Sequence, residues 1–307
     1  MTKPERPILV TGSHRSGSTW VGQMLSRARG VSYIHEPFSI LHRPGICDVR
    51  FTHWFPYVCR DNEDPYIGPI GDMLELRYRA GAEARATRSA RDAGRLLRDW
   101  ARFSLARRRG DRPLVKDPIA VFSAEWLSAS FDVAPVVLVR HPAAFASSLK
   151  RLQWTHPFED FLDQPLLMRD VLSPFEQEVR DFAAWDHPIV DQSILLWKVI
   201  HHAIALYRDR HPDWLFVRHE DLARDPIGGF ARIFDRLGLR FDRATESQIR
   251  AHSDPSNPTE VAEAGVVKRD SRSSIWTWKS RLSDEEIERV RKGVGPVAEE
   301  FYSPTDW

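Results

Sequence analysis

A short apolar run followed at once by a loop of glycine and serine and then by a helix restricts the fold of this chain more than any other feature. Residues 8–10 (ILV) have the composition of a buried strand, and residues 11–20 read TGSHRSGSTW. Beyond the loop, apolar residues recur at helical spacing from Val21 to Ala28. The pattern predicts a strand, a loop suited to phosphate and a helix, which is the first unit of an α/β fold.

Later apolar runs extend this pattern. Residues 135–139 (PVVLV) and 214–217 (WLFV) have the composition of buried strands, whereas residues 114 and 115 form a run too short to assign alone. Helical patterns lie between them, including one from Ile194 to Tyr207. Because strands alternate with helices, we predict an α/β fold with a central, mainly parallel sheet flanked by helices.

Two segments interrupt the alternation. Residues 75–112 are rich in Arg and Ala and predict an amphipathic helix. Its predicted apolar face carries Leu96, Leu97, Trp100 and Phe103. Residues 153–191 combine prolines with aromatic and acidic residues, a composition typical of an irregular lid or acceptor-binding region. Since the chain has no internal repeat or low-complexity linker, we predict a single domain over residues 1–307 with these two insertions.

Charge and cysteine content exclude several classes of protein. The chain has 44 Lys and Arg against 43 Asp and Glu, a formal net charge of +1, so no overall field attracts nucleic acid or membranes. Cys47 and Cys59 provide neither a disulfide framework nor a metal-ligand spacing, which predicts a reducing compartment. No apolar run approaches the roughly 18 residues that cross a bilayer, and no apolar targeting region precedes the first strand. We expect a soluble, cytoplasmic protein whose anion site is local.

The loop between Gly12 and Thr19 has the outline of the GxxxxGK[ST] phosphate loop, with Ser18 in the lysine position. Its backbone can still direct successive N–H groups at a phosphate, and the following helix adds its positive N-terminal end. The lysine that reaches the outer phosphates of a nucleoside triphosphate is missing. Arg140 follows the strand at 135–139, in place of an Asp that could hold magnesium. We predict a metal-free phosphate site with Arg15 as the cation of the loop.

These residues resemble the sulfotransferases that use 3′-phosphoadenosine 5′-phosphosulfate (PAPS), and most of all those that modify carbohydrate hydroxyls. The matching segments, in the order of the family, are GSHRSGSTWVGQ at 12–23, IHEP at 34–37, LVRHP at 138–142 with serines at 147 and 148, VRHEDL at 217–222, and SRSS at 271–274. The matches extend from residue 8 to about residue 302. The resemblance implies a P-loop-like sulfotransferase fold and PAPS as co-substrate, without a metal.

The resemblance also implies which residues hold PAPS. The loop would bind the 5′-phosphate and the transferring sulfuryl group, and the strand end at 140 with Ser148 would bind the 3′-phosphate. Trp20 would give a face for adenine, with core packing as the alternative, and His219 lies where many relatives have a Tyr near the base. The complete predicted set is Arg15, Ser16, Gly17, Ser18, Thr19, Trp20, Arg140, Ser148, His219 and Arg272.

Sulfuryl transfer to a hydroxyl needs a proton acceptor and stabilisation of the leaving phosphate. Glu36 is the first candidate for the general base, because related carbohydrate enzymes carry a Glu-Pro that faces the acceptor; turn formation before Pro37 is the alternative. Arg15 would stabilise the leaving phosphate, although an Arg is a poor proton donor. The remaining candidates for the base are His14, His35 and Asp117.

The resemblance implies a hydroxyl-bearing acceptor, a glycan or glycolipid, with a small alcohol or phenol as the alternative. Two other classes stay open: a P-loop kinase that needs ATP and Mg²⁺, and a nucleotide-binding protein without activity. The arginines of residues 77–112 predict a solvated face; if they border the acceptor cleft, they would bind an anionic glycan or glycolipid. The absence of a spanning segment leaves peripheral membrane contact open.

Overall fold

Five parallel strands form one sheet in a computed structural model, which describes residues 5–259 and 268–307. The strands are β1 (Ile8–Gly12), β2 (Val31–His35), β3 (Arg112–Lys116), β4 (Ala134–Val139) and β5 (Leu215–Arg218). Their order in the sheet is β2-β3-β1-β4-β5. This confirms the predicted α/β fold with a parallel sheet. The sequence pattern missed β2, an edge strand in which buried and partly exposed residues alternate.

Fifteen helices surround the sheet in the described residues. They are α1 (Ser18–Leu25), α2 (Asp64–Leu74), α3 (Ala80–Ala86), α4 (Ala90–Arg109), α5 (Ala124–Phe131), α6 (Pro142–Leu152), α7 (Glu159–Leu162), α8 (Pro165–Leu167), α9 (Glu176–Ala184), α10 (Ile189–Arg210), α11 (His219–Arg224), α12 (Pro226–Arg236), α13 (Arg243–Ser253), α14 (Ser271–Ser274) and α15 (Asp284–Glu299). A π-helical turn at Met168–Leu172 and short 3₁₀ helices, among them Pro118–Ser123 and Thr277–Ser280, complete the secondary structure.

The sheet is buried on both faces, because alternate side chains of its strands enter two separate cores. Leu9, Val115 and Val137 belong to the larger core, together with α6, α10 and α15. Ile8 and Val136 point to the opposite face and belong to the smaller core, with α1 and α12. The loops that connect β1 to α1 and β4 to α6 therefore lie at the same carboxyl edge of the sheet, where ligands bind in open α/β folds.

Helix α10 extends the predicted helix of residues 194–207 to 22 residues. Within the described part of the chain it alone is long and apolar enough to cross a membrane, and most of its apolar window is buried inside the protein. It packs between α6 and α15. Its composition is that of a core helix, which is apolar on most sides because neighbours cover most of it.

The two predicted insertions differ from expectation in detail. Residues 75–112 form α3 and α4 rather than one helix, and the inward face of α4 carries Asp99, Phe103 and Ala106. Leu97 and Trp100, predicted on the apolar face with Phe103, are 62% and 49% exposed. Asp99 takes the inward place because the guanidinium of Arg43 pairs with it at 2.5 Å.

Residues 153–191 are mostly helical, not irregular. The segment contains α7, α8 and α9, joined by a π-helical turn and a 3₁₀ turn. Pro165 and Pro174 lie in the first turns of short helices, where the missing N–H of proline leaves no helical hydrogen bond unmade. The single-domain organisation of the chain stays a prediction.

Candidate functional site

Two glycines shape the loop between β1 and α1. Gly12 has a φ of 132°, and a Cβ atom there would lie 2.2 Å from the carbonyl oxygen of Leu138 in β4. Gly17 has a φ of 94°, and its Cβ would lie 2.6 Å from Nδ1 of His219. No other residue type allows both the positive φ and these close approaches. The loop therefore rests directly on β4 and on the start of α11.

The N-terminal end of α1 is open to an anion. Its N-cap residue is Gly17, which provides no side-chain cap, and the first turn contains no acidic residue. The first backbone N–H groups of the helix therefore have no intrahelical acceptor, and the positive end of the helix dipole is not neutralised. This is the arrangement that binds phosphate groups in strand-loop-helix folds.

A pocket of about 130 Å³ lies in front of this helix end. It is lined by Arg15, Gly17, Ser18, Thr19, Trp20, Arg140, His219, His252, Arg269, Ser271 and Ser274. Trp20 and His219 meet edge to face, with ring centroids 6.1 Å apart. Trp20 also packs against Phe230 of α12, so it belongs both to the core and to the pocket wall, and its contact with adenine stays a prediction.

Several polar atoms around this pocket are buried without a hydrogen-bond partner in the described residues. They are Oγ of Ser16, Nε1 of Trp20, Nε of Arg140 and Nδ1 of His252. Buried polar groups are normally paired, because an unpaired one costs about 1–3 kcal/mol. A ligand with acceptor oxygens and a flat polar ring would satisfy these atoms, and an adenine nucleotide has both.

Five arginines converge beside the pocket in a narrow cleft that also contains Ser148. The arginines are Arg15, Arg140, Arg151, Arg269 and Arg281. Nε of Arg15 donates to Oγ of Ser148 at 3.0 Å, and Arg140 donates to the backbone oxygen of Arg15. Burial, together with the neighbouring guanidinium groups, lowers the pKa of both Arg15 and Arg140 to about 10. Such a concentration of positive charge suits a phosphate group.

The predicted Arg272 is not part of this cluster. Its Nε donates to the backbone oxygen of Arg224 at 3.1 Å on the exposed side of α14. Ser271 and Ser274, three residues apart on the same helix, line the pocket instead. Residues i and i+3 share one helix face, so Ser271 and Ser274 face the pocket together and Arg272 points in another direction. Arg269 and Arg281 lie on either side of the segment 271–274 in the sequence and line the cleft.

Glu220 supports the strand end that carries Arg140. It is 3% exposed, and its carboxylate accepts hydrogen bonds from the backbone N–H of His141 and from the hydroxyl of Tyr302, both at 3.0 Å. Burial raises the pKa of Glu220, and the nearby charge of Arg140 opposes this. The Glu-Asp-Leu segment thus has a structural part, which is to hold the turn between β4 and α6.

A larger cavity of about 630 Å³ opens on the other side of the loop. Its walls are largely apolar and aromatic, and include Trp54, Phe55, Ile119, Leu149 and Trp154. The predicted acceptor segment contributes Gln153, Trp154, Thr155, His156 and Pro157. A volume and lining of this kind are typical of sites for small organic molecules or parts of larger ones.

Two neutral imidazoles face this cavity. Nδ1 of His14 and Nε2 of His156 are buried without a hydrogen-bond partner in the described residues, and both rings contact Phe55. The pKa of each ring is lowered to about 3, mainly by burial. Arg15 makes a smaller contribution for His14, and His14 makes one for His156. Both rings can therefore accept hydrogen bonds at neutral pH. His156 was missed, since composition identified its segment and not the residue.

Glu36 lines the same cavity and pairs with a buried lysine. Its carboxylate is 36% exposed and accepts a hydrogen bond from Nζ of Lys116, whose side chain is fully buried. The register of β2 and β3, which sets His35 opposite Lys116, brings the two groups together. Glu36 itself has a φ of 43°, a left-handed conformation that turns the chain before Pro37. Lys116 was missed, although a charge at the end of a buried strand is the signal to look for.

The other two candidates for the base lie elsewhere. Asp117 is fully buried, and its carboxylate accepts from the backbone N–H groups of Phe38 at 2.7 Å and of Ile119 at 3.1 Å. Burial raises the pKa of Asp117 to about 7. His35 is exposed and lies beside Tyr33, outside the cavity lining. Asp117 therefore orders the turn after β2, through Phe38, and the turn after β3, through Ile119. Of the predicted bases, Glu36 and His14 reach the cavity.

The two cavities meet at the loop. Arg15, Ser18 and Thr19 line both the small pocket and the large cavity, and Arg15 also lines the arginine cleft. A group held by these three residues is thus accessible from both sides. The arrangement allows a donor on one side to pass a group to an acceptor on the other, at the N-terminal end of α1.

Comparisons with known proteins agree with the fold. Residues 7–243 match the family described as "Sulfotransferase family". No curated protein matches the chain. The structure is similar to the sulfotransferase domain from the Synechococcus PCC 7002 olefin synthase, with a TM-score of 0.50 and 20% identity, covering 99% of this chain and 97% of that one.

Two further solved structures are similar at lower TM-scores. For the sulfotransferase domain from the curacin biosynthetic pathway the TM-score is 0.49, with 13% identity over 94% of this chain and 97% of that one. For mouse sulfotransferase SULT7A1 complexed with PAP it is 0.45, with 11% identity over 95% of this chain and 83% of that one.

Proposed function

Since the chain belongs to the sulfotransferase family, we propose that it transfers a sulfuryl group from PAPS to a hydroxyl group of an acceptor. The observation that carries the proposal is the shared lining of the two cavities by Arg15, Ser18 and Thr19. Group transfer requires donor and acceptor atoms to approach along one line. A loop that borders both binding sites provides the single point at which they can do so.

The chain's residues suit the donor. The pocket with Trp20 and His219 would take the adenosine part, and the arginine cleft with Ser148 would take the 3′-phosphate. The loop and the N-terminal end of α1 would hold the 5′-phosphosulfate. The cleft also favours PAPS over ATP, because ATP has no 3′-phosphate to neutralise its guanidinium groups. Ser18 in place of the P-loop lysine removes the group that would grip a γ-phosphate.

In the proposed reaction the oxygen of the acceptor hydroxyl attacks sulfur, Glu36 accepts the hydroxyl proton, and the bond from sulfur to the 5′-phosphate breaks. The ion pair with Lys116 fixes the position of the carboxylate at the cavity wall. Arg15 and the first N–H groups of α1 stabilise the charge that develops on the leaving 5′-phosphate. His14, neutral and unpaired at Nδ1, orients the acceptor by accepting a hydrogen bond from it.

We further propose a carbohydrate or glycolipid acceptor. Flat aromatic side chains beside hydrogen-bond acceptors suit a sugar, which has apolar C–H faces and polar hydroxyl edges. The cavity has Trp54 and Trp154 for the faces, and His14, Glu36 and His156 for hydroxyl groups. A small alcohol or phenol would use fewer of these acceptors.

The test is a transfer assay with PAPS that carries a radiolabelled sulfuryl group. Purified protein is incubated with glycans, glycolipids, alcohols, phenols and a fractionated cell extract, and labelled products are identified by mass spectrometry. We expect label in a hydroxyl-bearing product, with release of 3′-phosphoadenosine 5′-phosphate (PAP). A parallel assay uses ATP labelled at the γ-phosphate with Mg²⁺. Label transferred only from ATP would establish a kinase, and tight PAP binding without any transfer would establish a binding protein.

A further inference from the structure

The outward face of α4 combines exposed apolar side chains with arginines. Leu97, Trp100 and Leu105 are 62%, 49% and 48% exposed, whereas Phe103 and Ala106 of the same helix pack into the core. Exposing a large apolar side chain to water costs free energy. Three such side chains on one helix are therefore unusual on a surface without a binding partner. The face formed by Leu97, Trp100 and Leu105 is called the α4 face below.

Arginines surround the α4 face, and the acidic residues of the helix do not neutralise it. All seven arginines of α4 are exposed: Arg91, Arg95, Arg98, Arg102, Arg107, Arg108 and Arg109. The helix has two carboxylates. That of Asp92 accepts hydrogen bonds from Arg88 and Ser89 at the N-terminal turn and pairs with Arg95, while that of Asp99 is buried and pairs with Arg43 and Arg98. The whole chain has a net charge of only +1, so this positive charge is local to α4.

A groove joins the two kinds of side chain. A cavity of about 570 Å³ is lined by Tyr78, Trp100, Ser104, Arg107 and Arg108, with Leu76 and Arg77. Arg77 already pairs with Asp72 and Glu75. The other two guanidinium groups, beside two aromatic rings, provide donors for a phosphate and an apolar wall beneath it. This is the chemistry of the boundary between lipid headgroups and acyl chains.

We propose that the α4 face binds a membrane surface rich in anionic phospholipid. The arginines attract the negative headgroups, while Trp100 and the two leucines enter the interfacial layer, as in amphipathic helices that lie on membranes. Charge complementarity selects the partner: an uncharged surface would leave the arginines without counter-charges. The proposal concerns a surface separate from the catalytic cavities and goes beyond the proposed activity.

The helix is also connected to the mouth of the acceptor cavity. Arg43 pairs with Asp99 of α4 and with Glu83 of α3. Two residues earlier, Leu41 is 78% exposed and lines the acceptor cavity. The segment at the cavity mouth is therefore held to the membrane-binding helix by a largely buried ion-pair network. A lipid-linked acceptor would enter a cavity whose rim is already held to the membrane-bound helix.

The test is flotation of the 307-residue chain with vesicles of phosphatidylcholine, with and without phosphatidylglycerol. We expect binding to the anionic vesicles only, weakened by added salt. Leu97→Ser/Trp100→Ser and Arg107→Ala/Arg108→Ala should each lower the partition coefficient about tenfold or more. These side chains are exposed, so circular dichroism and PAP binding should match the wild type.

Matched controls remove the same residue types elsewhere. Trp185 is 74% exposed at the end of α9, and Arg232 and Arg236 lie on α12. Trp185→Ser and Arg232→Ala/Arg236→Ala should bind vesicles like the wild type. Equal binding by the α4 variants, or no wild-type binding to anionic vesicles, would overturn the proposal. So would binding to soluble heparin but not to vesicles, or a dimer that the α4 substitutions dissociate.

Discussion

At the scale of single residues, Arg15 would link the binding of the donor to its chemistry in the proposed reaction. Its guanidinium borders both cavities and lies near Arg151, Arg269 and Arg281, whose charges lower its pKa together with burial. Like charges this close repel one another, so a bound dianion relieves a repulsion as well as forming new hydrogen bonds. The site therefore gains more from an anionic ligand than separate surface arginines would.

The role of Glu36 can be tested by Glu36→Gln, which keeps shape and removes the proton acceptor. We expect kcat to fall about 100-fold or more, because general base catalysis contributes 10²–10⁴. The dissociation constant for PAP, measured by calorimetry, should stay within about twofold, since no part of the donor pocket changes.

Loss of Glu36 also leaves the ammonium of Lys116 buried without its partner, which destabilises the local structure. The double variant Glu36→Gln/Lys116→Met removes this charge and should be equally inactive. His35→Gln alters an exposed neighbour and should keep wild-type kcat. Wild-type turnover in Glu36→Gln would transfer the role of base to His14.

Arg140 and Arg272 provide a second test at the same scale, because both were predicted to hold the 3′-phosphate and only Arg140 lines the pocket. Arg140→Ala should weaken PAP binding about tenfold to a hundredfold, the range for a hydrogen bond to a charged group. Arg272→Ala should leave it unchanged.

AMP, which lacks the 3′-phosphate, shows whether the loss is specific. Arg140→Ala should bind AMP like the wild type in the same calorimetric experiment. An equal loss of affinity for AMP and PAP would mean that Arg140 shapes the pocket as a whole and does not recognise the 3′-phosphate.

At the scale of secondary structure, the unit formed by β1, its loop and α1 explains how the loop holds its shape. Gly12 lets the loop pass against β4, and Gly17 lets it approach α11. The helix then begins without a cap, so its first N–H groups remain available. Two close approaches on either side keep the loop rigid, which preorganises these N–H groups for the donor.

Gly17→Ala tests this close approach. The substitution adds strain at φ 94° and a Cβ atom 2.6 Å from Nδ1 of His219, so either the loop or the imidazole must shift. We expect PAP affinity to fall by about tenfold or more and the melting temperature to fall by several degrees.

Gly30→Ala is the matched control, because Gly30 also has a positive φ, of 75°, but a Cβ atom there meets nothing within 4 Å. It should cost about 1 kcal/mol through strain and leave PAP affinity unchanged. If both variants bind PAP equally well, the contact between the loop and His219 is irrelevant to the donor site.

At the scale of the whole molecule, the chain buries several histidines in neutral form. Burial lowers the pKa of His14, His141, His156, His201 and His219 to about 3. The rings are held by aromatic contacts, such as the stack of His201 on Trp197 at 3.8 Å. Near neutral pH these histidines behave as apolar core residues, but protonation would bury a charge.

We therefore expect the protein to lose stability in mild acid. In the unfolded chain histidine takes up a proton near pH 6.5, whereas in the folded protein these five stay neutral until much lower pH. Below about pH 6.5 the unfolded state binds more protons, so the free energy of unfolding falls as pH falls. Each histidine contributes up to about 1.4 kcal/mol per pH unit. Asp117, whose pKa is raised to about 7, opposes this because the folded state takes up its proton first.

Urea unfolding at about pH 7.5 and about pH 5.5 measures the difference, which we expect to be several kcal/mol in favour of the higher pH. His201 is one of the five histidines and lines neither cavity, so His201→Leu leaves the site unchanged. It should reduce the pH dependence by about one fifth, even if it lowers stability at both pH values. Equal stability at both pH values would show that these histidines are not kept neutral by the fold.

The loop and the strand end that we propose to hold the donor could be located from the sequence because their signals are local. The glycine spacing from residue 12 to residue 17 and the Arg that follows a buried strand at 140 each lie in one short segment. Short segments adopt their conformation largely through backbone sterics and strand propensity. The sequence by itself therefore determined the parallel α/β fold, the loop at the N-terminus of α1 and the positions of Arg15 and Arg140 next to strands β1 and β4.

Only the tertiary structure decided the acceptor side. The pairing of Glu36 with Lys116 joins residues 80 positions apart, through the register of two neighbouring strands. His14 and His156 meet across Phe55, and Arg269 and Arg281 reach the cleft beside Ser148. Likewise, the inward turn of Asp99 depends on Arg43 and leaves Leu97 and Trp100 outside. Such pairings depend on where distant segments pack, and helical or strand periodicity along the chain carries no information about that choice of partner.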